Sequence, residues 1–251
     1  NWLISDPLYQ FYPFLTQAVA SVRQGQWLLW DPGIMLGHPA AADPLFQTFY
    51  PGVLPFGLLF GAGRGYGASH SQNLESLFLS VPGLKVVVPA TPADAKGLLL
   101  ASIRDPNPVL FVEPKALYGV KGEVPAEYYE TPLGRARTAR QGGDLTLIAY
   151  GGGVPLALRA AHDLAEGGLE AEVLDLRTLR PMDDETLLAA ARKTGRCIVI
   201  EEGPLTGGVG AEVAARVVEG AFASLKAPVR RVAAKDSPIP SAMTLERAVM
   251  P

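Results

Sequence analysis

Leu145-Thr-Leu-Ile-Ala-Tyr150, then Gly151-Gly-Gly153, then Val154 to Glu166 closing on Gly167-Gly168, is the stretch that decides the fold. It reads as a strand, a tight turn and an amphipathic helix stopped by glycine. The alternation continues outward from it. Leu169 to Leu174 is a strand, Asp183 to Thr194 a helix closed by Gly195, Arg196 to Glu201 a strand, Ala211 to Ala223 a helix, and Val229 to Ala234 a last strand. Upstream, Leu84 to Pro89 and Pro108 to Glu113 read as strands. Between them, Thr91-Pro92-Ala-Asp94 has a capping threonine, proline at the first helical position and an acid in the first turn, which predicts a helix to about Arg104. Ser69 and Gln72 have capping-box spacing, so a helix is expected from about His70 to Ser80. Residues 114–143 carry few periodic apolar positions and read as a linker. Strands and helices alternating in this way predict an α/β fold with a mainly parallel sheet covered on both faces.

Composition narrows the class. The chain has 251 residues, 48% hydrophobic and 19% charged, with a formal net charge of −3. A weakly acidic balance lacks the basic footprint of a nucleic-acid binder. The single cysteine, Cys197, excludes an internal disulfide and sits in an apolar run, so a packed, inert thiol is expected. Residues 1–63 hold all three tryptophans, many prolines and no glutamate, whereas residues 64–251 are rich in Ala, Val, Leu, Glu and Arg. The chain does not begin with methionine and shows no signal peptide, which reads as a fragment or processed product. The apolar run Gly52 to Gly63 is shorter than the ~20 residues of a spanning helix and is interrupted by Pro55.

Each candidate motif has a plainer reading beside it. Gly151-Gly-Gly153 follows a strand and opens a helix, as a phosphate-binding turn does, but Leu156 stands where the dinucleotide fingerprint needs glycine. A tight turn is the better reading. Gly207-Gly-Val-Gly210 also opens a helix, and its free N–H groups could hold an anion; a structural turn is preferred. Asp183-Asp184-Glu185 is favourable charge at a helix start. His162 reads as a solvated helix residue, and His38 sits in a turn. Asp105 and Asn107, with nearby carbonyls, could ligate a hard cation, but on spacing alone a helix C-terminus closed by turn residues is the better reading. His70, after Gly61, Gly63, Gly65 and Gly67, is placed to face a cleft, and its charge changes near physiological pH.

Gly67-Ala-Ser-His-Ser-Gln72, Val81-Pro-Gly-Leu-Lys-Val-Val-Val-Pro89, Ile103-Arg-Asp-Pro-Asn-Pro108, Asp175-Leu-Arg-Thr-Leu-Arg-Pro181 and Gly207-Gly-Val-Gly-Ala-Glu212 follow in that order. In this set, residues 64–251 resemble the β subunit of the thiamine-diphosphate-dependent 2-oxo acid dehydrogenase component. The resemblance implies the later half of a pyrimidine-binding domain (64–118), a linker (119–143) and a transketolase-type C-terminal three-layer α/β domain (144–251). It implies oxidative decarboxylation of pyruvate or a branched-chain 2-oxo acid, with acyl transfer to lipoamide. The cofactor is shared with an α subunit that also holds Mg2+. The other implied partners are a second β chain and the lipoyl acyltransferase core, in a bacterial cytoplasm. His70 matches the active-site histidine, while Ser102, Ile103, Asp105 and Asn107 match a potassium loop. Glu113-Pro-Lys-Ala-Leu-Tyr118 is closer to the branched-chain type.

The family's cofactor-activating glutamate lies upstream of the histidine, yet the first glutamate of this chain is Glu75. The chain is therefore expected to be inactive as it stands. Alternatives are a non-catalytic module that docks the acyltransferase core, or a membrane-associated fusion. For the latter, Asp6-Pro-Leu-Tyr-Gln-Phe-Tyr-Pro-Phe14, Trp30-Asp-Pro32, Gly37-His-Pro39, Ala42-Asp-Pro44 and Phe49-Tyr-Pro51 resemble the first extracytoplasmic loop of YfhO-type bacterial membrane proteins, and Val53 to Phe60 is expected to enter the membrane.

Overall fold

The computed structural model describes residues 55–61, 65–68 and 71–251, with backbone alone for residues 55–60. His70, Ser69, His38 and residues 1–54 lie outside the described residues.

The elements run β1 (Pro55–Phe60), α1 (Glu75–Phe78), β2 (Lys85–Val87), α2 (Pro92–Arg104), β3 (Val109–Pro114), β4 (Arg137–Arg140), β5 (Leu145–Ala149), α3 (Gly153–Glu166), β6 (Ala171–Asp175), β7 (Thr178–Arg180), α4 (Asp184–Thr194), β8 (Cys197–Pro204), α5 (Val209–Ala221), β9 (Arg230–Ala234) and α6 (Met243–Val249). Local chemistry sets several of these boundaries. Thr91 Oγ1 accepts the Asp94 amide at 3.1 Å with Pro92 at the first helical position, so α2 starts where its cap dictates. Asp183 caps α4 through the Thr186 amide, and Gly195 closes that helix in the left-handed conformation at φ 72°. On α3, Val154, Ala157 and Ala161 are buried at helical spacing.

The strands form two sheets, in the orders β1-β3-β2-β7 and β4-β6-β5-β8-β9. β1 and β2 each pair parallel with β3, and β5, β6, β8 and β9 are parallel in their own sheet. Both sheets gain an antiparallel strand. β4 pairs with β6, and β7 leaves the second unit to pair with β2, placing Val87 opposite Thr178. The main apolar core follows that exchange: Val86 and Leu110 of the first sheet share one cluster with Ile148 and Leu174 of the second sheet, Leu187 of α4 and Val213 of α5. The two units are thus closed on each other by a strand and a common core.

Three expectations need correction. The apolar run expected to enter a membrane contains β1, aligned with β3 from Pro55↔Val109 to Phe60↔Pro114. Its apolar content is that of a strand in a parallel sheet, which reads as a continuous hydrophobic run. Among the described residues, no helix is long and apolar enough to cross a membrane. The helix expected from His70 begins at Glu75, where Leu74 precedes it without a side-chain cap bond. The stretch read as a linker contains β4, whose Arg-Thr-Ala-Arg sequence has no apolar period and is held by its ladder to β6.

Candidate functional site

The stretch on either side of His70 is fastened to the second unit through a cluster of buried carboxyl groups. Glu201 and Glu202 come from the far end of β8, Tyr150 from the residue after β5, Glu246 from α6, and Glu75 from the start of α1. Glu75, Glu201 and Glu246 are almost wholly buried. The Gly65 amide donates to Glu246 Oε2 at 3.0 Å, and Gly67 lies so close to Ser241 that a Cβ would come within 2.5 Å of its Oγ. Asn73 Nδ2 donates to Glu75 Oε1 at 3.2 Å. Tyr150 donates to Glu201 Oε2 at 3.3 Å.

Burial dominates the acid–base behaviour of the cluster. It raises the Glu75 carboxyl to about 8, against hydrogen bonds from its own backbone amide and Asn73, with the charges of Glu202 and Glu201 adding to the rise. Burial likewise raises Glu201, opposed by the Gly210 amide, Tyr150 and Arg231, and raises Glu202, opposed by Asn73. The Tyr150 hydroxyl is pushed well up by burial and by the charges of Glu75 and Glu201. Glu75 is therefore mostly a neutral acid at pH 7, able to hold or release a proton.

Both glycine turns are occupied from within. A Cβ on Gly152 would lie 2.4 Å from Glu202 Oε2, so a carboxylate faces the turn that could cradle a phosphate. The Gly210 amide donates to Glu201 Oε1 at 2.9 Å, and a Cβ on Gly208 would meet the same carboxylate at 2.7 Å. The anion that the start of α5 could hold is the protein's own Glu201. The structural-turn readings of both motifs stand.

The proposed cation loop lies at the far end of α2. Ser102 is buried, with its Oγ donating to Leu98 O at 2.7 Å, while the Ile103 side chain is exposed. Asp105 pairs with Lys85 through Oδ2, and its Oδ1 accepts the Asn107 amide at 2.9 Å and Asn107 Nδ2 at 3.1 Å. Burial acts to raise the Asp105 carboxyl, but Lys85 and Asn107 outweigh it and hold the group below the usual range. The loop therefore offers one carboxylate, already neutralised by Lys85. No cluster of three or more His, Cys, Asp or Glu suited to a metal occurs among the described residues. Glu113 accepts a hydrogen bond from Tyr118 at the wall of an apolar cavity of about 340 Å³, which Pro92, Leu99 and Phe111 also line. His162 is exposed, and Cys197 is buried with its thiol raised by burial to about 11.

The carboxyl cluster escaped the sequence reading. Its trace was there in Glu201-Glu202, two acids inside a strand that parallel pairing buries on both faces.

Residues 56–121 match the pyrimidine-binding domain of transketolase, and residues 134–251 match the transketolase C-terminal domain. The chain carries these two domains. The first match begins at residue 56, so residues 56–63, read above as foreign, fall within the pyrimidine-binding domain, in keeping with β1. The chain is 47% identical over 192 residues to the acetoin:2,6-dichlorophenolindophenol oxidoreductase subunit beta of Bacillus subtilis (strain 168), covering 76% of this chain and 56% of the relative. It is 47% identical over 192 residues to the pyruvate dehydrogenase E1 component subunit beta of Rhizobium meliloti (strain 1021), covering 76% and 42%. It is also 46% identical over 193 residues to the 2-oxoisovalerate dehydrogenase subunit beta of Bacillus subtilis (strain 168), covering 76% and 59%. The chain thus spans about half the length of these relatives. Among solved structures, a chain described as a split-gene transketolase, inactive beta4 tetramer, aligns at TM-score 0.61 and 30% identity over 72% of this chain and 57% of that one. The carboxyl cluster joins the pyrimidine-binding domain, through Asn73 and Glu75, to the C-terminal domain, through Tyr150, Glu201, Glu202 and Glu246.

Proposed function

We propose that this chain is the C-terminal part of the β subunit of a 2-oxo acid dehydrogenase decarboxylating component, acting with an α subunit on a 2-oxo acid of the pyruvate or branched-chain type. The observation that carries the reading is the pairing of the two matched domains in order, closed by β7 on β2, together with beta-subunit relatives at 46–47% identity. On this reading His70 serves the acyl-transfer side of the reaction, and Ser102, Ile103, Asp105 and Asn107 form a potassium loop that supports α2. Association with a lipoyl acyltransferase core and with a second β chain belongs to the same proposal, as does a cytoplasmic setting.

The described residues do not by themselves build a thiamine diphosphate site. Each glycine turn is faced by a carboxylate, which repels a diphosphate, and the chain has no glutamate before Glu75. We therefore propose that these 251 residues associate without catalysing decarboxylation. The inactive beta4 assembly of the transketolase relative supports this part of the reading.

The test mixes the chain with the α subunit of the Bacillus subtilis 2-oxoisovalerate dehydrogenase, thiamine diphosphate and Mg2+, and follows CO2 release from 2-oxoisovalerate and pyruvate. That enzyme's own full β subunit is the positive control. Release at the level of α subunit alone is expected. Turnover above that level overturns the inactive reading.

A further inference from the structure

α5 is apolar on two sides, and the core uses only one of them. Its inward side, Val209, Val213, Val217 and Ala221, is buried in the main core. A second stripe, Ala211, Ala215, Val218 and Phe222, recurs at i, i+4, i+7 and i+11 on another side of the same helix. Val218 is 41% exposed, and Phe222, which follows the last residue of α5, is 73% exposed. The charges of α5 gather on the remaining flank, where Arg216 bonds Glu212 and Asp184 of α4. α3 shows the contrast. Its exposed positions include Arg159, His162, Asp163 and Glu166, the side chains expected of a helix that faces water.

The second stripe forms one wall of a groove. Ala214, Ala215, Val218 and Phe222 face Leu225 and Val229 around a cavity of about 910 Å³. Exposed apolar residues scattered singly are ordinary, whereas a contiguous apolar face with a polar rim marks an interaction surface. The rim here carries one charge of each sign. Glu219 stands on the charged flank of α5, and Arg230 follows Val229 on the far side of the groove. Both are exposed, and neither makes a hydrogen bond or ion pair among the described residues.

We propose that this face takes a second copy of the same chain, with the two α5 helices side by side and parallel about a two-fold axis. Pattern and charge both select that occupant. The 4-3-4 spacing of Ala211, Ala215, Val218 and Phe222 is the repeat of a two-stranded helix pair, in which each seam residue meets its own copy. A two-fold axis along the helices sets the flank of one against the opposite flank of the other. Glu219 of each copy then comes to Arg230 of the other, since the groove places Val229 beside the Val218 and Phe222 end of α5. An antiparallel pair would set like flanks together and leave both charges without a partner. Ala211 and Ala215 let the helices approach closely, and Phe222 fills the wider end beside the groove.

α5 has 13 residues and is about 20 Å long at 1.5 Å per residue. The contact is therefore at the small end of protein interfaces, and the dimer it makes is weak and concentration-dependent. The inference rests on the proposed function only for the association with a second β chain, to which it gives a surface.

Sedimentation equilibrium of the 251-residue chain, from about 1 μM to 1 mM, reads the association. A monomer–dimer equilibrium is expected. Phe222→Glu is expected to raise its dissociation constant at least tenfold, and Leu245→Glu, at an exposed apolar residue of α6, to leave it unchanged. Both side chains are exposed, so neither variant removes core packing, and circular dichroism checks the fold of each. Glu219→Arg and Arg230→Glu are each expected to weaken the dimer several-fold at low salt. An equal mixture of those two variants is expected to restore it, because each supplies the charge that the other lacks.

A dimer that Phe222→Glu leaves intact, or a mixture that associates no better than its components, overturns the surface while leaving the second β chain in place. A monomer at every concentration overturns the surface and that association together. If Phe222→Glu then abolishes sedimentation with an α subunit, the face belongs to that subunit instead.

Discussion

Arg177 of the C-terminal domain reaches Asp94 of the pyrimidine-binding domain, Nη2 to Oδ1, at 2.8 Å. Asp94 sits in the first turn of α2, and Arg137 Nη2 approaches both Asp94 at 3.5 Å and Asp175 at 3.3 Å. Two buried aspartates and two partly exposed arginines thus form a clamp between the domains. Arg177 adopts φ 57°, a left-handed conformation that costs a non-glycine residue energy, and its amide donates to Asp175 Oδ1 at 3.1 Å. The clamp repays that strain by compensating charge where the β7 crossover begins.

Removing one partner leaves the others buried and unbalanced. Arg177→Ala is expected to destabilise the chain by about 3–5 kcal/mol, the range for breaking a buried ion pair. Urea unfolding followed by circular dichroism measures it. A change within ~0.5 kcal/mol, the surface range, would show that the clamp adds nothing to the joining of the domains.

Two neighbouring glycines give a contrast that depends on backbone contact alone. A Cβ on Gly142 would lie 2.2 Å from the Ala171 carbonyl carbon and 2.3 Å from the Glu172 amide nitrogen, so β6 must shift to admit it. Gly143 has nothing within 4 Å of such a Cβ. Gly142→Ala is expected to cost about 1–3 kcal/mol or more, and Gly143→Ala less than ~0.5 kcal/mol, read as shifts in thermal midpoint.

Asp183 supplies the acid side of the stability profile. Burial acts to raise its carboxyl, but the Ala136 amide, Thr186 and Arg135 outweigh this and hold it below its ordinary value. A depressed carboxyl contributes stability above its unfolded value, and that contribution is lost as pH falls through the folded one. Asp183→Asn keeps an N-cap and removes the charge. It is expected to lose roughly 1 kcal/mol at pH 7, with the difference from the unaltered chain shrinking as pH drops below 4. A difference constant down to pH 2.5 would contradict the assignment.

What could be read from the sequence was local. Thr91, Pro92 and Gly195 carry their structural meaning in themselves, and α2 and α4 fell within a residue of the expected bounds. β4 and β7 could not be seen because Arg137–Arg140 and Thr178–Arg180 are strands only through their partners, β6 and β2. β1 was misread because a run of apolar residues looks alike whether a parallel sheet or a membrane covers it. Of the site, the glycine turns were visible and their preferred reading held, but the acids filling them were not, since Glu201 and Glu202 lie far in sequence from Gly152 and Glu75. Where distant acids converge, spacing along the chain carries no signal.

On the proposed function, this chain is a β-subunit portion that meets an α subunit. Sedimentation velocity of the 251-residue chain mixed with the α subunit of the Bacillus subtilis 2-oxoisovalerate dehydrogenase tests it most directly. A shared boundary that sediments faster than either component alone is the expected result. Two boundaries unchanged from those of the separate proteins would contradict the claim.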